Sequence, residues 1–276
     1  MKLLDLDVIY CGDALELFKS IDTASIDLIV TSPPYNLGVK YDSCEDWMSW
    51  PDYYDWCRLW IRQCFRVLKP DGRFCLNHYL SCGTAKTRSN PLMNLNGICV
   101  DVGFKEHGIA LWTESSTCKR TAWGSWLSAS APYLSSPHEC ISVFYKDHWK
   151  KDRRGESTIT KEEFMNWTLG IWKMNPERSR NGCPAPFPQE LPRRCIRLFS
   201  YKDDIVLDLF NGGGTTTFVS NKEGRHYIGF DLSEAYCKEA REWLETGIKP
   251  DLRQKKVIEN RVKKVKSDSC QEVLLV

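Results

Sequence analysis

The stretch Asp204-Ile-Val-Leu-Asp208-Leu-Phe210-Asn-Gly212-Gly-Gly214-Thr-Thr, residues 204–216, decides how the chain is read. A short run of Ile, Val and Leu is a buried strand, and it stops at an acid and three glycines. The threonines open a helical pattern that runs from Thr215 to about Lys222. Glycines let the backbone approach a ligand, and the free N–H groups of a helix N-terminus face it. Asp208, at the strand tip, places a carboxylate beside that ligand. Nineteen residues after Gly212, His226-Tyr-Ile-Gly-Phe-Asp231 ends a second strand in an acid. That spacing suits a carboxylate holding ribose hydroxyls in a nucleotide-type site. The competing reading is a tight strand-to-helix turn with a surface Asp. A dinucleotide fingerprint fits less well, because the glycines do not follow G-x-G-x-x-G. No Gly-Lys-Ser/Thr follows, which excludes a phosphate loop.

Outward from this stretch, strand-like runs recur at Val8–Tyr10, Asp27–Val30, Arg73–Asn77, His107–Trp112, Ile141–Tyr145, Ile205–Leu209 and Tyr227–Phe230. Between them, Tyr54–Leu68 carries Trp56, Leu59, Trp60, Cys64, Val67 and Leu68 near 3.6 spacing, and it stops at Lys69-Pro70-Asp71-Gly72. A further helix is expected from Ser233, its N-cap, to about Leu244. Strands alternating with helices predict an α/β fold around a parallel, doubly wound sheet.

Composition agrees with a globular chain. Of 276 residues 42% are hydrophobic and 27% charged, with a formal net charge of +2. No run of about 18 apolar residues is present, so no transmembrane helix and no membrane partner are expected. The acidic start, MKLLDLDVIYCGD, lacks the apolar stretch of a secretion signal. Thirteen cysteines contain no Cys-x-x-Cys pair, so neither a zinc ribbon nor a thioredoxin-type centre is expected, and no metal is assigned. Most are read as small buried apolar residues in a reducing compartment. Charge is uneven: residues 1–55 carry −8, residues 113–200 +5 and residues 249–276 +4. A basic surface of that kind fits a polyanion, although solvated faces explain charge equally simply.

The second informative stretch is Asp27-Leu-Ile-Val-Thr31-Ser32-Pro33-Pro34-Tyr35-Asn36. A strand runs into two prolines and an aromatic residue. Proline has no N–H and a fixed φ, so two in a row make a stiff shelf whose carbonyls stay outside a sheet ladder. Such a shelf accepts hydrogen bonds from an amino group and sets a ring against a flat base. The plainer reading is a rigid strand end with a core tyrosine.

Taken together, Ser-Pro-Pro-Tyr and Asp-x-Phe-x-Gly-x-Gly resemble the S-adenosylmethionine-dependent DNA methyltransferases that modify exocyclic amino groups. The proline motif comes first and the glycine motif last, which resembles the permuted order of the beta group. This order weakens a protein-glutamine methyltransferase reading. Three further segments match: Ile9-Tyr-Cys-Gly-Asp13-Ala, the family's adenine-contacting segment; Arg66-Val-Leu-Lys-Pro-Asp-Gly-Arg-Phe after the catalytic loop; and Cys183-Pro-Ala-Pro-Phe187-Pro188-Gln-Glu-Leu-Pro-Arg-Arg, which lines the cofactor pocket. The resemblance spans about residues 5–245. Leu209 stands where the family usually has proline and Cys183 where histidine is common.

The resemblance implies a Rossmann-like class I methyltransferase sheet, mostly parallel and seven-stranded with one antiparallel strand. Helices cover both faces, and a target-recognition region is inserted. It divides the chain into residues 1–112 (N-terminal catalytic part), 113–180 (target recognition, including the last sheet strand), 181–248 (C-terminal catalytic part) and 249–276 (basic tail or linker to a further domain). It implies S-adenosyl-L-methionine as cofactor, held by Asp13, Phe187, Pro188, Asp208, Phe210, Asn211, Gly212, Gly214, Thr215 and Asp231. The catalytic residues implied are Ser32, Pro33, Pro34 and Tyr35. Ser32 and the Pro33 carbonyl accept hydrogen bonds from the target amine, and Tyr35 stacks on the base. The substrate implied is double-stranded DNA with the target base flipped out. Serine at the first motif position is commoner among cytosine-N4 enzymes. A hydroxyl can also donate to the cytosine ring N3, which an ionised Asp cannot. Adenine-N6 methylation is the near rival; a catalytically silent DNA-binding module and an RNA methyltransferase are further alternatives. Cytosine-C5 chemistry is unlike this chain, which has no Pro-Cys dipeptide. Candidate DNA contacts are Trp123, Trp126, Lys150, Lys151, Arg153, Arg154, Arg178 and Arg180, with a small local core as the plainer reading of the tryptophans. Homodimers occur in the beta group, and an intracellular enzyme is implied, nuclear if eukaryotic.

Overall fold

The computed structural model describes residues 4–39, 41–42, 46–82, 89–113, 124–133, 138–177 and 186–250. In chain order the elements are β1 (Val8–Cys11), α1 (Ala14–Leu17), β2 (Ile26–Thr31), α2 (Trp50–Val67), β3 (Leu68–Tyr79), α3 (Pro91–Val102), β4 (Lys105–Thr113), β5 (Glu139–Tyr145), α4 (Lys161–Trp167), β6 (Ile171–Lys173), α5 (Glu190–Phe199), β7 (Ile205–Asp208), α6 (Thr215–Lys222), β8 (His226–Asp231) and α7 (Glu234–Thr246).

The strands form one sheet in the order β1-β8-β7-β2-β3-β5-β4-β6. Every neighbouring pair is parallel except β3–β5 and β5–β4, so β5 is the single antiparallel strand. The expected count of seven is corrected to eight. The addition is β6, three residues paired to the outer side of β4 from Leu111↔Ile171 to Thr113↔Lys173. Sequence reading passes over it because three residues are too short to display a period.

Ile29, Phe74, Leu207 and Ile228 face α2 and α3, in a core with Trp60, Ile61, Cys64, Leu95 and Cys99. Leu28, Val30, Cys75 and Val206 face α5 and α6, against Leu191, Cys195, Ile196 and Val219. Helices therefore cover both faces, and strands buried on both sides read as continuous apolar runs. Helix α2 begins four residues before the expected Tyr54, because the Ser49 side chain caps it by accepting from Asp52 N (3.3 Å) and Pro51 is tolerated in the first turn. Leu59, read as core, is 49% exposed. The helix stop at 69–72 falls in a bulge inside β3: Ile26 pairs with Leu68 but Leu28 pairs with Arg73.

Nine described cysteines are free thiols and seven of them are buried. Trp112, Trp167 and Trp172 are buried too, so two of the tryptophans of residues 113–180 belong to the core. Among the described residues no helix is long and apolar enough to cross a membrane.

Candidate active site

Strands β2 and β7 are parallel neighbours, paired at Leu28↔Val206 and Ile29↔Leu207. Their carboxyl ends therefore lie side by side, and each runs directly into one of the two motifs. Thr31 Oγ1 donates to Asp208 Oδ1 (2.7 Å) and ties the ends together. A cavity of about 580 Å³ opens there, and Ser32, Pro33, Pro34 and Tyr35 line it together with Asp13, Phe187, Phe210, Asn211, Gly212, Thr215 and Asp231. Two segments about 180 residues apart in sequence thus share one site. This is the crevice beyond the carboxyl ends of parallel strands where α/β sheets bind ligands.

On the glycine side, Gly212 (φ +50°) and Gly214 (φ +88°) are left-handed. A Cβ on Gly214 would stand 2.5 Å from Ala240 Cβ, so only glycine lets α6 close on α7. Asp231 accepts from Gly212 N (2.7 Å, Oδ2) and from Ser233 N (2.9 Å, Oδ1). Each oxygen keeps a second lone-pair position, which suits the two adjacent hydroxyls of a ribose. Asn211 lines the cavity with its Nδ2 buried and unpartnered among the described residues. Leu232 and Tyr236 add apolar wall, and the Asp13 carboxylate caps α1 at the rim by accepting from Leu15 N (2.8 Å). An unmet donor, a diol acceptor and apolar walls fit S-adenosylmethionine. Asp208, Pro188 and Gly214 are not in the wall. Asp208 stands behind it, 1% exposed, accepting from Thr31 and from Phe210 N (3.1 Å). Burial pushes its carboxyl up to about 6, against the pull of the Thr216 and Thr31 hydroxyls and the Phe210 N–H.

On the proline side, the Tyr53 hydroxyl donates to the Pro34 carbonyl (2.7 Å), while no described residue donates to the Pro33 carbonyl. Pro33 is therefore the carbonyl left for an amine. Ser32 Oγ lies 2.7 Å from Tyr35 Oη. The Tyr35 hydroxyl also meets Glu139 Oε2 (2.8 Å) and Asn77 Nδ2 (2.8 Å), and Asn77 Nδ2 donates to Glu139 (2.6 Å). The Tyr35 ring rests on His78, centroids 4.2 Å apart, with Tyr79 edge-on at 5.1 Å. Burial, with the Glu139 carboxylate beside it, holds the Tyr35 phenol well above its ordinary range. Burial also pushes His78 down to about 3. Sequence reading missed Glu139, Asn77 and Tyr53, because strand and helix periodicity explains all three positions without a site.

The candidate DNA contacts separate by sheet edge. Glu139 pairs with Tyr79 and Trp112 at the carboxyl ends of β3 and β4, while Tyr145 pairs with Arg73 and Lys105 at the amino ends. The chain therefore leaves β4 at Thr113 and re-enters β5 at Glu139 on the cavity's edge, and the intervening Trp126 is 63% exposed. Residues 146–154 leave from the opposite edge. There Lys151, almost fully buried, pairs with Asp204 (3.3 Å) and Asp27 (3.8 Å), and Arg153 pairs with Asp204. The expected phosphate contacts Lys150, Lys151, Arg153 and Arg154 are thus not brought to the cavity. Trp123, Arg178, Arg180 and Cys183 lie outside the described residues.

Comparison with known proteins agrees with this geometry. A family model described as a DNA methylase, of N6 and N4 methyltransferases, matches residues 26–242. The chain is 46% identical over 166 residues to the type II methyltransferase M.MjaVI of Methanocaldococcus jannaschii, covering 59% of this chain and 84% of that protein. It is 27% identical over 282 residues to the type II methyltransferase M.PvuII of Proteus hauseri, covering 82% of this chain and 80% of that protein. TTHA0409 of Thermus thermophilus, solved with S-adenosyl-L-methionine, matches with a TM-score of 0.69 and 27% identity over 86% of this chain and 92% of its own. The solved M.PvuII enzyme, described as cytosine-N4-specific, has the same TM-score at 23% identity over 95% and 94%, a likeness of fold. With the proline shelf and the glycine turn on one cavity and a family model spanning both, the chain belongs to the N6/N4 DNA methylases, the DNA methyltransferases directed at exocyclic amino groups.

Proposed function

We propose that the protein transfers a methyl group from S-adenosyl-L-methionine directly to the exocyclic N4 of a cytosine flipped out of double-stranded DNA. The observation that carries this reading is the shared cavity, which puts an amine-accepting shelf beside a nucleotide-type pocket. When bound, the cofactor supplies an electrophilic methyl group on a sulfonium. The chain's own work is positioning. The Pro33 carbonyl and Ser32 Oγ accept from the amine and draw its lone pair out of the ring. Tyr35, Pro33 and Pro34 set the plane of the base, and stacking of about 1–3 kcal/mol per base offsets part of the flipping cost. Asp13, Phe187, Phe210, Asn211, Gly212, Thr215 and Asp231 hold the cofactor. Asp208 and Gly214 shape the turn from behind, and Pro188 leads into α5 beside Phe187.

Support for cytosine N4 over adenine N6 comes from Ser32 in the first motif position and from likeness to M.PvuII. Residues 113–180 are proposed to recognise the target sequence. DNA contacts are proposed on the carboxyl edge, with Trp126 among them.

Labelled cofactor is incubated with duplex DNA of mixed sequence, and the DNA is digested to nucleosides. Label in N4-methylcytosine is expected. Label in adenine alone overturns the N4 reading and leaves the amine reading. No label in any DNA overturns both.

A further inference from the structure

Four side chains from three parts of the chain form a connected polar group: Ser32 and Tyr35 after β2 and Glu139 at the start of β5 line the cavity, and Asn77 in β3 is buried behind them. The chemistry of the donors fixes the direction of its hydrogen bonds. An ionised carboxylate only accepts, and a phenol has one hydrogen. Tyr35 therefore spends its hydrogen on Glu139 Oε2 (2.8 Å), and Asn77 Nδ2 donates to the same oxygen (2.6 Å) and to Tyr35 Oη (2.8 Å). The 2.7 Å contact between Ser32 Oγ and Tyr35 Oη then has Ser32 as donor, the Asn77 backbone carbonyl being a longer alternative for its hydrogen at 3.4 Å. Ser32 is left with lone pairs only toward the cavity. It acts there as a pure acceptor, which matches an amine and withdraws the donation to cytosine N3 expected from the sequence.

We propose that Glu139 is the terminal proton acceptor for the target amine, reached through Ser32 and Tyr35. This rests on the amine-methylation reading. An amino nitrogen that gains a methyl group carries one proton too many. Its N–H points at Ser32 Oγ. The proton moves to Ser32 as the Ser32 proton moves to Tyr35 and the Tyr35 proton moves to Glu139. The N–H bond breaks, the carboxyl O–H bond forms, and Ser32 and Tyr35 end as neutral hydroxyls. Tyr35 need not ionise, since it receives a proton as it gives one. Glu139 lines the cavity and returns the proton to water there. Among the described residues, the titratable groups around Glu139 include Tyr35, Tyr79 opposite it on β3, His78, the neighbouring His138, and Cys140, whose thiol burial pushes up to about 11. Burial keeps His78 neutral, and Glu139 is the carboxylate that the Tyr35 hydroxyl meets directly.

The experiment uses the full chain, target duplex and S-adenosylmethionine, and it reads single-turnover kcat against pH. Removing a general base typically costs 10²–10⁴-fold. Glu139→Gln is expected to lower kcat by at least about 100-fold and to abolish the acid limb of the profile. Cofactor and DNA affinities should stay within about threefold, because a relay residue adds nothing to ground-state binding. Tyr35→Phe removes the middle of the chain, so adding Glu139→Gln to it should cost less than about threefold more. Retained kcat in Glu139→Gln, or losses that multiply in the double variant, overturn the relay. Should Glu139→Gln fail to fold, Tyr35→Phe alone decides: an unchanged acid limb overturns the proposal. Wild-type enzyme that methylates no base is the separate failure of the amine reading.

Discussion

Thr31 and Asp208, 177 positions apart, share a 2.7 Å hydrogen bond at the carboxyl edge of the sheet. The bond is buried and closes the seam between the two motif-bearing strands. It also has a thermodynamic consequence. The Asp208 carboxyl is pushed from 3.8 to about 6 by burial, so the folded chain binds a proton there more tightly than the unfolded chain. Stability from this group is present below about pH 4 and is lost as pH rises to about 6, by about 3 kcal/mol. Asp208→Asn can keep the acceptor for Thr31 and Phe210 N–H without a charge. Urea unfolding at pH 4.5 and 7 should show a smaller fall with pH in Asp208→Asn than in wild type. Parallel curves would remove Asp208 from the pH dependence.

Gly214 is fixed by two independent constraints, its φ of +88° and the 2.5 Å approach that a Cβ would make to Ala240. A left-handed alanine costs about 1 kcal/mol and overpacking about 1–3 kcal/mol. Gly214→Ala is expected to lower stability by about 2–4 kcal/mol, or Tm by roughly 5–10 °C. Cofactor affinity should fall with it, as the turn shifts. Thermal melting with and without S-adenosylmethionine measures both. A melting point within about 1 °C of wild type would contradict the packing described.

Ser32→Ala tests the shelf without disturbing the cofactor side. It removes an acceptor of the amine and leaves the Pro33 carbonyl. Turnover should drop by about 10²-fold or more while S-adenosylmethionine binding by calorimetry is unchanged. Equal turnover would take Ser32 out of the mechanism.

Lys151 separates the sequence reading of the basic run from the structural one. As a phosphate contact, its loss would weaken DNA binding and reduce the salt slope by about one. As a partner of the fully buried Asp204 and of Asp27, its loss leaves buried carboxylates short of a cation. Breaking a buried pair costs about 3–5 kcal/mol. Arg153 still reaches Asp204 and Lys69 still holds Asp27 (2.8 Å), so the lower end is expected. Lys151→Met should unfold at lower denaturant with an unchanged salt slope of DNA binding.

The same contrast explains what the sequence could and could not reveal. Strands β2 and β7 are legible because burial on both faces leaves continuous Ile, Leu and Val runs, and the motifs are legible because glycine and proline have few backbone alternatives. The place of the Lys150–Arg154 run is not legible because local charge carries no information about sheet edge. That edge is set by β5, whose antiparallel direction sends the chain away from the cavity. Glu139 is invisible for a related reason. Its partner Tyr35 lies 104 residues away, and the β2–β3 and β3–β5 pairings together bring the two into contact.

Trp126 is the remaining described candidate contact, in the segment between β4 and β5. A tryptophan 63% exposed forgoes much of its burial energy, and its segment leaves and re-enters the sheet at the carboxyl ends of β4 and β3, the edge that carries the cavity. The Gly124↔Pro132 bridge closes the segment into a turn. Stacking on a nucleobase is worth about 1–3 kcal/mol, so Trp126→Ala should weaken DNA binding about 5- to 150-fold. The Lys151 pair is at the opposite edge, so the two substitutions should act independently: Trp126→Ala on DNA affinity, Lys151→Met on unfolding. Fluorescence anisotropy with labelled duplex, beside denaturant melts of both variants, checks this. A Trp126→Ala protein that binds DNA as tightly as wild type would move target recognition off the 124–133 turn.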